Sequence, residues 1–166
     1  MMVTQLFLFH RWLAVDMLFQ LTSRPIETLI GSLHPHSGGI VTFEGRVRAV
    51  NNDKEVSSLE YVAYPALALH EGHAIISEAL ERLDIIEACA VHRTGRLAIG
   101  DIAVWVMSAA IHRKEAFEAT EYIINAIKTR VPIWKKEYYR DGEAIWVRCD
   151  HCVHDHSHTV KASFSL

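Results

Sequence analysis

The sequence predicts an α+β fold with a largely antiparallel sheet. Three observations lead to this prediction. Two long segments, 65–83 and 113–130, have helical periodicity, and β-rich runs precede, separate and follow them. Several of these runs are neighbours along the chain and are joined by short turn sequences, which favours hairpin pairing. With 166 residues, half of them hydrophobic, the chain can bury the core of one domain.

The first predicted elements are a strand at residues 17–23 and a short helix at residues 24–33. Ser23 stands near the cap of this helix and Pro25 in its first turn, where proline is tolerated. Residues 34–39, HPHSGG, have the composition of a loop.

A second strand is predicted at residues 39–50, because apolar and polar residues alternate there. Arg46 and Arg48 both fall on the polar face, so we expect their side chains to point the same way. The opposite face carries Val41, Phe43, Gly45 and Val47.

The middle of the chain continues with a turn at 51–55, a strand at 56–64 and a helix from Pro65 to about Leu83. The apolar residues of this helix recur at helical spacing, at Leu69, Ile76, Leu80 and Leu83.

Strands at 85–93 and 101–112 are predicted next, joined by a turn from Gly95 to Gly100. The helix at 113–130 then carries two neighbouring apolar stripes. These stripes are Phe117, Thr120 and Ile124, with Ala116, Ile123 and Ile127 beside them.

The last predicted element is a hairpin, PIWKKEYYR and AIWVRC around the turn DGE. Pro132 ends the preceding helix. In the first strand of the hairpin, Lys135 shares one face with Ile133 and Glu137, and the other face carries Trp134, Lys136 and Tyr138.

Two lysines flank Pro132, and the chain direction can bring them together. Lys128 lies four residues after Ile124 and continues the apolar stripe, so its stem should be partly covered. Lys135 follows three residues after the proline. The alternative is ordinary, since lysines near a helix C-terminus favour the helix dipole and lysines on an edge strand discourage aggregation.

Cations elsewhere strengthen the interpretation of an anion site. The chain has 17 Lys and Arg against 20 Asp and Glu, a net charge of −3, so wholesale binding of nucleic acid or an anionic membrane is not predicted. Two strand ends nevertheless finish in His-Arg, at His92-Arg93 and His112-Arg113. If they converge near the lysines, an anion would relieve the repulsion. Taken singly, each pair could equally be a cap or a rim residue.

The two kinds of cation predict different roles. A lysine that is crowded by cations and partly desolvated has a lowered pKa and can act as an acid, a base or a nucleophile, whereas an arginine cannot. Arg48 and Arg113 are therefore expected to hold charge, and Lys128 and Lys135 to carry the chemistry. A Gly-rich phosphate loop and a Ser-centred elbow are absent from the sequence. Cys89 lies in an apolar run and is interpreted as a core residue.

The termini are treated separately from one catalytic domain at residues 17–148. Residues 1–16 are interpreted as an optional extension before Met17, without a secretory or membrane-spanning pattern. Residues 149–166 form a His-rich tail, interpreted as a flexible end that binds metal opportunistically and not as a physiological metal site. The possible ligands in the tail are Cys149, Cys152, His154, His156 and His158.

No cofactor is predicted. Three cysteines are too few for a disulfide framework, which favours a cytoplasmic location.

Five ordered motifs resemble one known family over about residues 39–147. They are VTFEGRVR, LEYVAYPALA, VHRTGRLAIGD, SAAIHRKEAFEATEYIINAIKTRVPIWKKE and WV. Together they are similar to the large, catalytic subunit of molybdopterin synthase. The resemblance implies an α/β hammerhead fold and a homodimer within a heterotetramer, with a small ubiquitin-like sulfur-carrier subunit on each protomer. It also implies a substrate, cyclic pyranopterin monophosphate, that receives sulfur from the carrier's C-terminal Gly-Gly thiocarboxylate.

The resemblance assigns roles to individual residues. Lys128 and Lys135 match the family's catalytic lysines, and Phe43 matches a packing residue of the pocket strand. The substrate-pocket residues of the family are matched by Arg48, His112 and Arg113. The sequence departs from the family at Ile40 and Leu67, where Ala and Met are common. Arg148, followed by Cys149 and Asp150, does not align with the basic tail residue that the family places in the neighbouring protomer's pocket.

Two other function classes remain open at this stage. The cationic pocket could receive a partner's C-terminal carboxylate without turnover, although arginines would suffice for binding alone. Alternatively, the protein could handle metal through its tail.

Overall fold

The computed structural model describes residues 18–26 and 34–147. The strands in these ranges are β1 (Phe19–Thr22), β2 (Gly39–Arg46), β3 (Val50–Asn51), β4 (Lys54–Ala63), β5 (Glu87–Arg93), β6 (Gly95–Ala98), β7 (Ile102–Ala110), β8 (Ile133–Tyr139) and β9 (Ala144–Val147). The helices are α1 (Pro65–Arg82) and α2 (Arg113–Arg130). No helix in these ranges combines the length and apolar character needed to cross a membrane.

The strands form two sheets, and most of the pairing is antiparallel. The first sheet has the order β1-β5-β7-β2, and only its β1–β5 pair is parallel among the described strands. The second has the order β3-β4-β8-β9, with β6 also paired to β4. The α+β prediction with a largely antiparallel sheet is confirmed.

The main core lies between the two helices and the first sheet. Strand β7 is central in that sheet and is buried at every residue. The helices cover one of its faces, and on the other face Trp105 belongs to a separate apolar cluster that includes Cys89 and Val91 of β5. Gly72 of α1 lies directly on the ring of Phe19, where an added Cβ would be only 2.1 Å away. A glycine in the middle of this helix therefore lets β1 pack closely against it.

Several element predictions hold, and others need correction. Helix α2 has the predicted bounds, and the hairpin β8–β9 forms as expected. The predicted turn at 95–100 instead contains strand β6, whose Leu97 is 1% exposed and packs in an apolar cluster with Leu59 and Tyr139 of the second sheet. The glycines at both ends of this segment, Gly95 and Gly100, have positive φ and gave it the appearance of a turn.

The predictions for the N-terminal part have mixed outcomes. Strand β1 lies within the predicted 17–23. Residues 24–26 are not helical, and the remainder of the helix predicted at 24–33 lies outside the described residues. The proposed extension at 1–16 and the tail at 149–166 also lie outside them.

The predicted apolar stripes of α2 are confirmed except at Phe117. The buried face of the helix is centred on Ala116, Ile123 and Ile127, while Phe117 is 62% exposed. Lys128 is exposed, and the partial covering of its stem stays a prediction.

The prediction of one continuous strand from 39 to 50 is also wrong. Strand β2 keeps the predicted alternation but ends at Arg46, with a register shift between Gly45 and Arg46. Arg46 binds Glu44 and the carbonyl oxygen of Gly100, whereas Arg48 lies beyond the strand and binds Asn51. The two arginines therefore do not share a direction set by one strand.

Candidate functional site

Lys128 lies in the last turn of α2, where the chain reverses into β8. The helix closes with the backbone N–H of Val131 donating to the carbonyl oxygen of Ile127 at 3.1 Å, and Pro132 ends it. The N–H of Tyr64 donates to the carbonyl oxygen of Pro132 at 3.3 Å, which ties this turn to the end of β4. The turn thus places Lys128 beside the second sheet.

The end of α2 is anchored to α1 by Arg130. Its Nη1 lies 2.6 Å from Glu78 Oε2 and its Nη2 lies 3.2 Å from Glu71 Oε2. The hydroxyl of Tyr122 also donates to Glu78, at 2.8 Å. The hydrogen bonds from Arg130 and Tyr122 lower the pKa of Glu78 to about 2. The ion pairs of Arg130 with Glu71 and Glu78 therefore hold the helix turn that carries Lys128.

Replacing Arg130 with Gln should lower the melting temperature more at pH 7 than at pH 3. The pKa of Glu78 is depressed in the folded protein, so its contribution is present above the ordinary value of 4.5 and is lost as the pH falls toward 2. Thermal unfolding of both proteins across this range measures the effect. Lys114→Gln, which removes an exposed pair with Glu118, is the control. An equal melting-temperature difference at both pH values would contradict this role of Arg130.

Lys135 is held by a buried carboxylate on the same face of β8. Its Nζ lies 2.9 Å from Oε1 of Glu137, and the two side chains are 16% and 2% exposed. Asn51 Nδ2 donates to both oxygens of Glu137, at 3.1 and 2.9 Å, and the hydroxyl of Tyr139 donates to Oε2. Burial raises the pKa of Glu137, but the bonds from Tyr139, Lys135 and Asn51 leave it below its ordinary value. Glu137 therefore remains charged and fixes the ammonium group.

Asn51 also brings Arg48 into this cluster. Arg48 Nη2 donates to Asn51 Oδ1 at 3.1 Å, so one amide bridges Arg48 and Glu137. We call Arg48, Asn51, Lys128, Lys135 and Glu137 the lysine site. Among residues 18–26 and 34–147, no carboxylate forms an ion pair with Arg48 or Lys128. The hydrogen-bonded cluster thus holds two cations, Arg48 and Lys135, and one anion, and we assign Lys128 to the same site because its charge acts on the neighbouring His92. An excess of positive charge suits an anionic ligand.

The pair His92-Arg93 is buried and does not provide a free cation. Arg93 Nη1 lies 2.9 Å from Asp101 Oδ2, and its side chain is 7% exposed, so its charge is neutralised within the chain. Burial lowers the pKa of His92 to about 4, and the positive charge of Lys128 acts in the same direction. Neither the cap or rim interpretation nor the free-cation interpretation of this pair is correct. The influence of Lys128 places it near His92.

Tyr61 joins His92 to the lysine site. It lies directly opposite Lys135 in the β4–β8 pairing, and its ring meets that of His92 edge-on with the centroids 5.0 Å apart. Sequence reasoning assigned no role to Tyr61, Asn51 or Glu137. For Glu137 the signal was present, because strand alternation already placed it beside Lys135.

His112 and Arg113 lie at the opposite end of α2 from Lys128. His112 caps the helix and Arg113 begins it, and both are exposed. Gly39 packs on their backbone, since its Cβ would lie 3.0 Å from the Cα of Arg113. Fifteen residues of helix separate Arg113 from Lys128, about 22 Å. One chain therefore does not bring these two residues to the lysine site.

Other predicted residues agree with structural roles. Phe43 is partly buried and packs against the main core, as a packing residue should. Burial raises the pKa of the Cys89 thiol to about 12, which agrees with its interpretation as a core residue and not a nucleophile. No group of three or more His, Cys, Asp or Glu residues in the described ranges could hold a metal ion.

The lysine site can bind and polarise anionic reactants. Lys128 is exposed and carried by a helix end, so its ammonium group can follow a reactant that enters from solvent. Lys135 is mostly buried and is held on Glu137, so it presents a fixed positive charge. A lysine can also donate a proton, which the neighbouring Arg48 cannot do near neutral pH. The arrangement therefore suits acid catalysis on a bound anion.

Comparison with known proteins identifies similar chains. A family model described as "MoaE protein" matches residues 19–130. The molybdopterin synthase catalytic subunit of Pyrococcus abyssi is 43% identical over 117 residues, which are 70% of this chain and 78% of that protein. The protein of the same name from Bacillus subtilis is 42% identical over 132 residues, 78% of this chain and 83% of its own.

Solved structures show the same fold. The crystal structure of molybdopterin synthase from Staphylococcus aureus superposes with a TM-score of 0.71 at 34% identity, covering 81% of this chain and 98% of that chain. A protein–protein complex of subunits 1 and 2 of molybdopterin-converting factor from Helicobacter pylori gives a TM-score of 0.58 at 24% identity, covering 69% and 75% of the two chains. At that identity the second match bears on the fold alone.

Proposed function

This chain belongs to the MoaE family, and from that membership we propose that it is the catalytic subunit of a molybdopterin synthase in the cytoplasm. Its reaction is sulfur transfer from the C-terminal thiocarboxylate of a small ubiquitin-like carrier to cyclic pyranopterin monophosphate. Two successive transfers form the dithiolene of molybdopterin. The observation that carries this proposal is the lysine site, in which Lys135 is ion-paired with the buried Glu137 and Arg48 is bridged to the same carboxylate by Asn51.

The charge of the lysine site suits two reactants that repel each other. The substrate's phosphate and the carrier's thiocarboxylate are both anionic, and bringing them together requires fixed positive charge. Arg48, which is anchored by Asn51, holds charge without exchanging protons. The two lysines can hold positive charge and also exchange protons.

The different exposure of the lysines supports a division of labour. Lys128 is exposed at a helix end and can reach an extended C-terminal tail, so it assists acyl and proton transfer at the carrier. Lys135 is fixed by Glu137 and is suited to stabilise or protonate the pterin intermediate. In each transfer the thiocarboxylate sulfur forms a C–S bond to a carbon of the pterin's side ring, and an oxygen substituent leaves that carbon with a proton supplied by a lysine. Water then attacks the carrier's carbonyl carbon, so the carrier's C–S bond breaks, its C-terminus becomes a carboxylate, and the sulfur stays on the pterin.

His112 and Arg113 are proposed to complete the lysine site of the partner protomer in a homodimer. They lie about 22 Å from Lys128 of their own chain, along one helix. The surface around them carries large exposed apolar side chains, which is unfavourable for an isolated protomer and typical of an interface. These side chains are Ile40, Ile111 and Phe117, which are 43%, 53% and 62% exposed.

Mixing two inactive variants tests this cross-protomer arrangement. Lys128→Ala and Arg113→Ala should each be inactive, but a mixed dimer should recover one intact site. Random reassociation would restore activity at about a quarter of all sites. The measurement is product formation after the two variants are coexpressed. No recovery, despite mixed dimers seen by mass spectrometry, would contradict the cross-protomer arrangement.

Reconstitution distinguishes the enzyme from the alternatives. The protein is incubated with the thiocarboxylated carrier and cyclic pyranopterin monophosphate, and molybdopterin is measured. A binding module would retain the carrier but form no product. A protein that handles metal through residues 149–166 would lose its function when they are deleted, whereas the synthase activity is expected to persist.

A further inference from the structure

A buried imidazole lies next to the lysine site, and the proposed mechanism does not use it. His92 is the penultimate residue of β5 and is 8% exposed. Its partners on the two neighbouring strands are Leu21 of β1 and Val104 of β7, which are both apolar. A polar ring in such surroundings needs a reason to be there.

The orientation of this ring is determined by two contacts. Nδ1 lies 2.8 Å from the carbonyl oxygen of Arg93, and because a carbonyl only accepts, Nδ1 carries the proton. Nε2 is then an unprotonated acceptor. The ring also meets Tyr61 edge-on, at 5.0 Å and an interplanar angle of 80°. The hydrogen bond and the aromatic contact together leave the imidazole little freedom to rotate.

Tyr61 links the fixed imidazole ring of His92 to the lysine site. Tyr61 and Lys135 are direct partners in the β4–β8 pairing, so their side chains stand on the same face of the sheet. One side of the Tyr61 ring is therefore occupied by His92, and the next strand carries the ammonium group held by Glu137. A shift of Tyr61 would disturb the space beside Lys135.

We propose that His92 is a positioning residue, which holds the ring of Tyr61 in place beside Lys135. This inference rests on the proposed function of the two lysines. It adds His92 and Tyr61 to the groups on which turnover depends, although neither is assigned a bond-making or bond-breaking step.

The charged residues around His92 favour a neutral imidazole ring at this position. Lys128 approaches from α2, Lys135 and Glu137 belong to β8, and Arg93 on β5 is neutralised by Asp101. A positive imidazolium there would repel other cations and an approaching proton donor. Burial holds the pKa of His92 at about 4, so the ring stays neutral near pH 7.

Kinetics of His92 and Tyr61 variants test the inference in the assembled synthase. His92→Leu and Tyr61→Leu should each lower kcat about tenfold or more, with a smaller change in the KM for cyclic pyranopterin monophosphate. Tyr61→Phe, which keeps the ring, should retain most of kcat. The kcat of the double variant His92→Leu/Tyr61→Leu should be no lower than the kcat of the less active single variant, because both residues act through one contact. Additive losses, or an unchanged kcat in His92→Leu, would overturn the proposal.

A matched control variant and spectroscopy distinguish a positioning role of His92 from a loss of stability alone. Cys89→Ala removes a half-buried side chain from the same strand and should lower stability without changing kcat. With ¹⁵N-labelled lysine, the Lys135 ammonium signal should shift or broaden in His92→Leu and stay unchanged in Cys89→Ala. An unchanged Lys135 signal in His92→Leu counts against the inference.

The two proposals fail in different ways. A wild-type protein that forms no molybdopterin with both reactants present would refute the proposed function. A wild-type protein that turns over, together with a His92→Leu variant of equal kcat, would refute only the positioning role. The ammonium spectrum tests the link between His92 and Lys135 independently of activity.

Discussion

Replacing Lys128 with Ala is expected to abolish molybdopterin formation and leave the fold and the dimer intact. The side chain is exposed and forms no ion pair with a described residue, so its loss removes little packing or electrostatic stabilisation. Loss of a positioned proton donor typically costs about 10²–10⁴-fold in rate. Single-turnover product formation with the thiocarboxylated carrier measures this loss, and circular dichroism and size-exclusion chromatography check the fold.

Two companion variants sharpen the Lys128 experiment. Lys114→Ala removes an exposed lysine from the first turn of the same helix and should be fully active. Lys128→Arg keeps the positive charge but cannot exchange protons near neutral pH, so it should bind the carrier and fail to turn over. Normal turnover by Lys128→Ala would refute the catalytic assignment, and normal turnover by Lys128→Arg would reduce the role to charge alone.

Replacing Lys135 with Met is expected to remove activity and also to destabilise the protein. Glu137 is 2% exposed and would lose its only cationic partner among the described residues. Breaking a buried ion pair typically costs about 3–5 kcal/mol, and the cost here should be smaller because Asn51 and Tyr139 still donate to the carboxylate. Urea unfolding and the product assay measure the two effects separately.

A second substitution separates the chemical role of Lys135 from its structural role. The double variant Lys135→Met/Glu137→Gln has no buried charge and should regain most of the lost stability, since an amide can still accept bonds from Asn51 and Tyr139. It should remain inactive. Recovery of turnover in the double variant would show that Lys135 only balances the charge of Glu137.

The same pair makes an acid-dependent contribution to stability. The pKa of Glu137 is depressed in the folded protein, so its stabilisation is present above the ordinary value of 4.5 and is lost as the pH falls through the folded pKa. Glu137→Gln should therefore differ from wild type more at neutral pH than in acid.

The elements of local origin were predictable to within a few residues. Helix α2 begins and ends as predicted, because its periodicity is long and Pro132 ends it. Strand β6 was missed, since its four residues lie between glycines and are stabilised mainly by pairing with β4. The exposure of Phe117 was missed because an apolar residue at the margin of a stripe is covered only if a neighbouring element reaches it.

The sequence alone determined the α+β class, the position of the long helices, the family resemblance and the identity of the lysines and arginines expected at the site. These features depend on periodicity and on ordered motifs, which are local. Tertiary structure alone decided which cations remain free. It neutralised Arg93 with Asp101, buried His92 as an uncharged ring, anchored Lys135 on Glu137, and separated Arg113 from Lys128 by the length of a helix. The physical reason is that the charge state and the neighbours of a side chain depend on burial and on strand register, and these arise from contacts between residues distant along the chain.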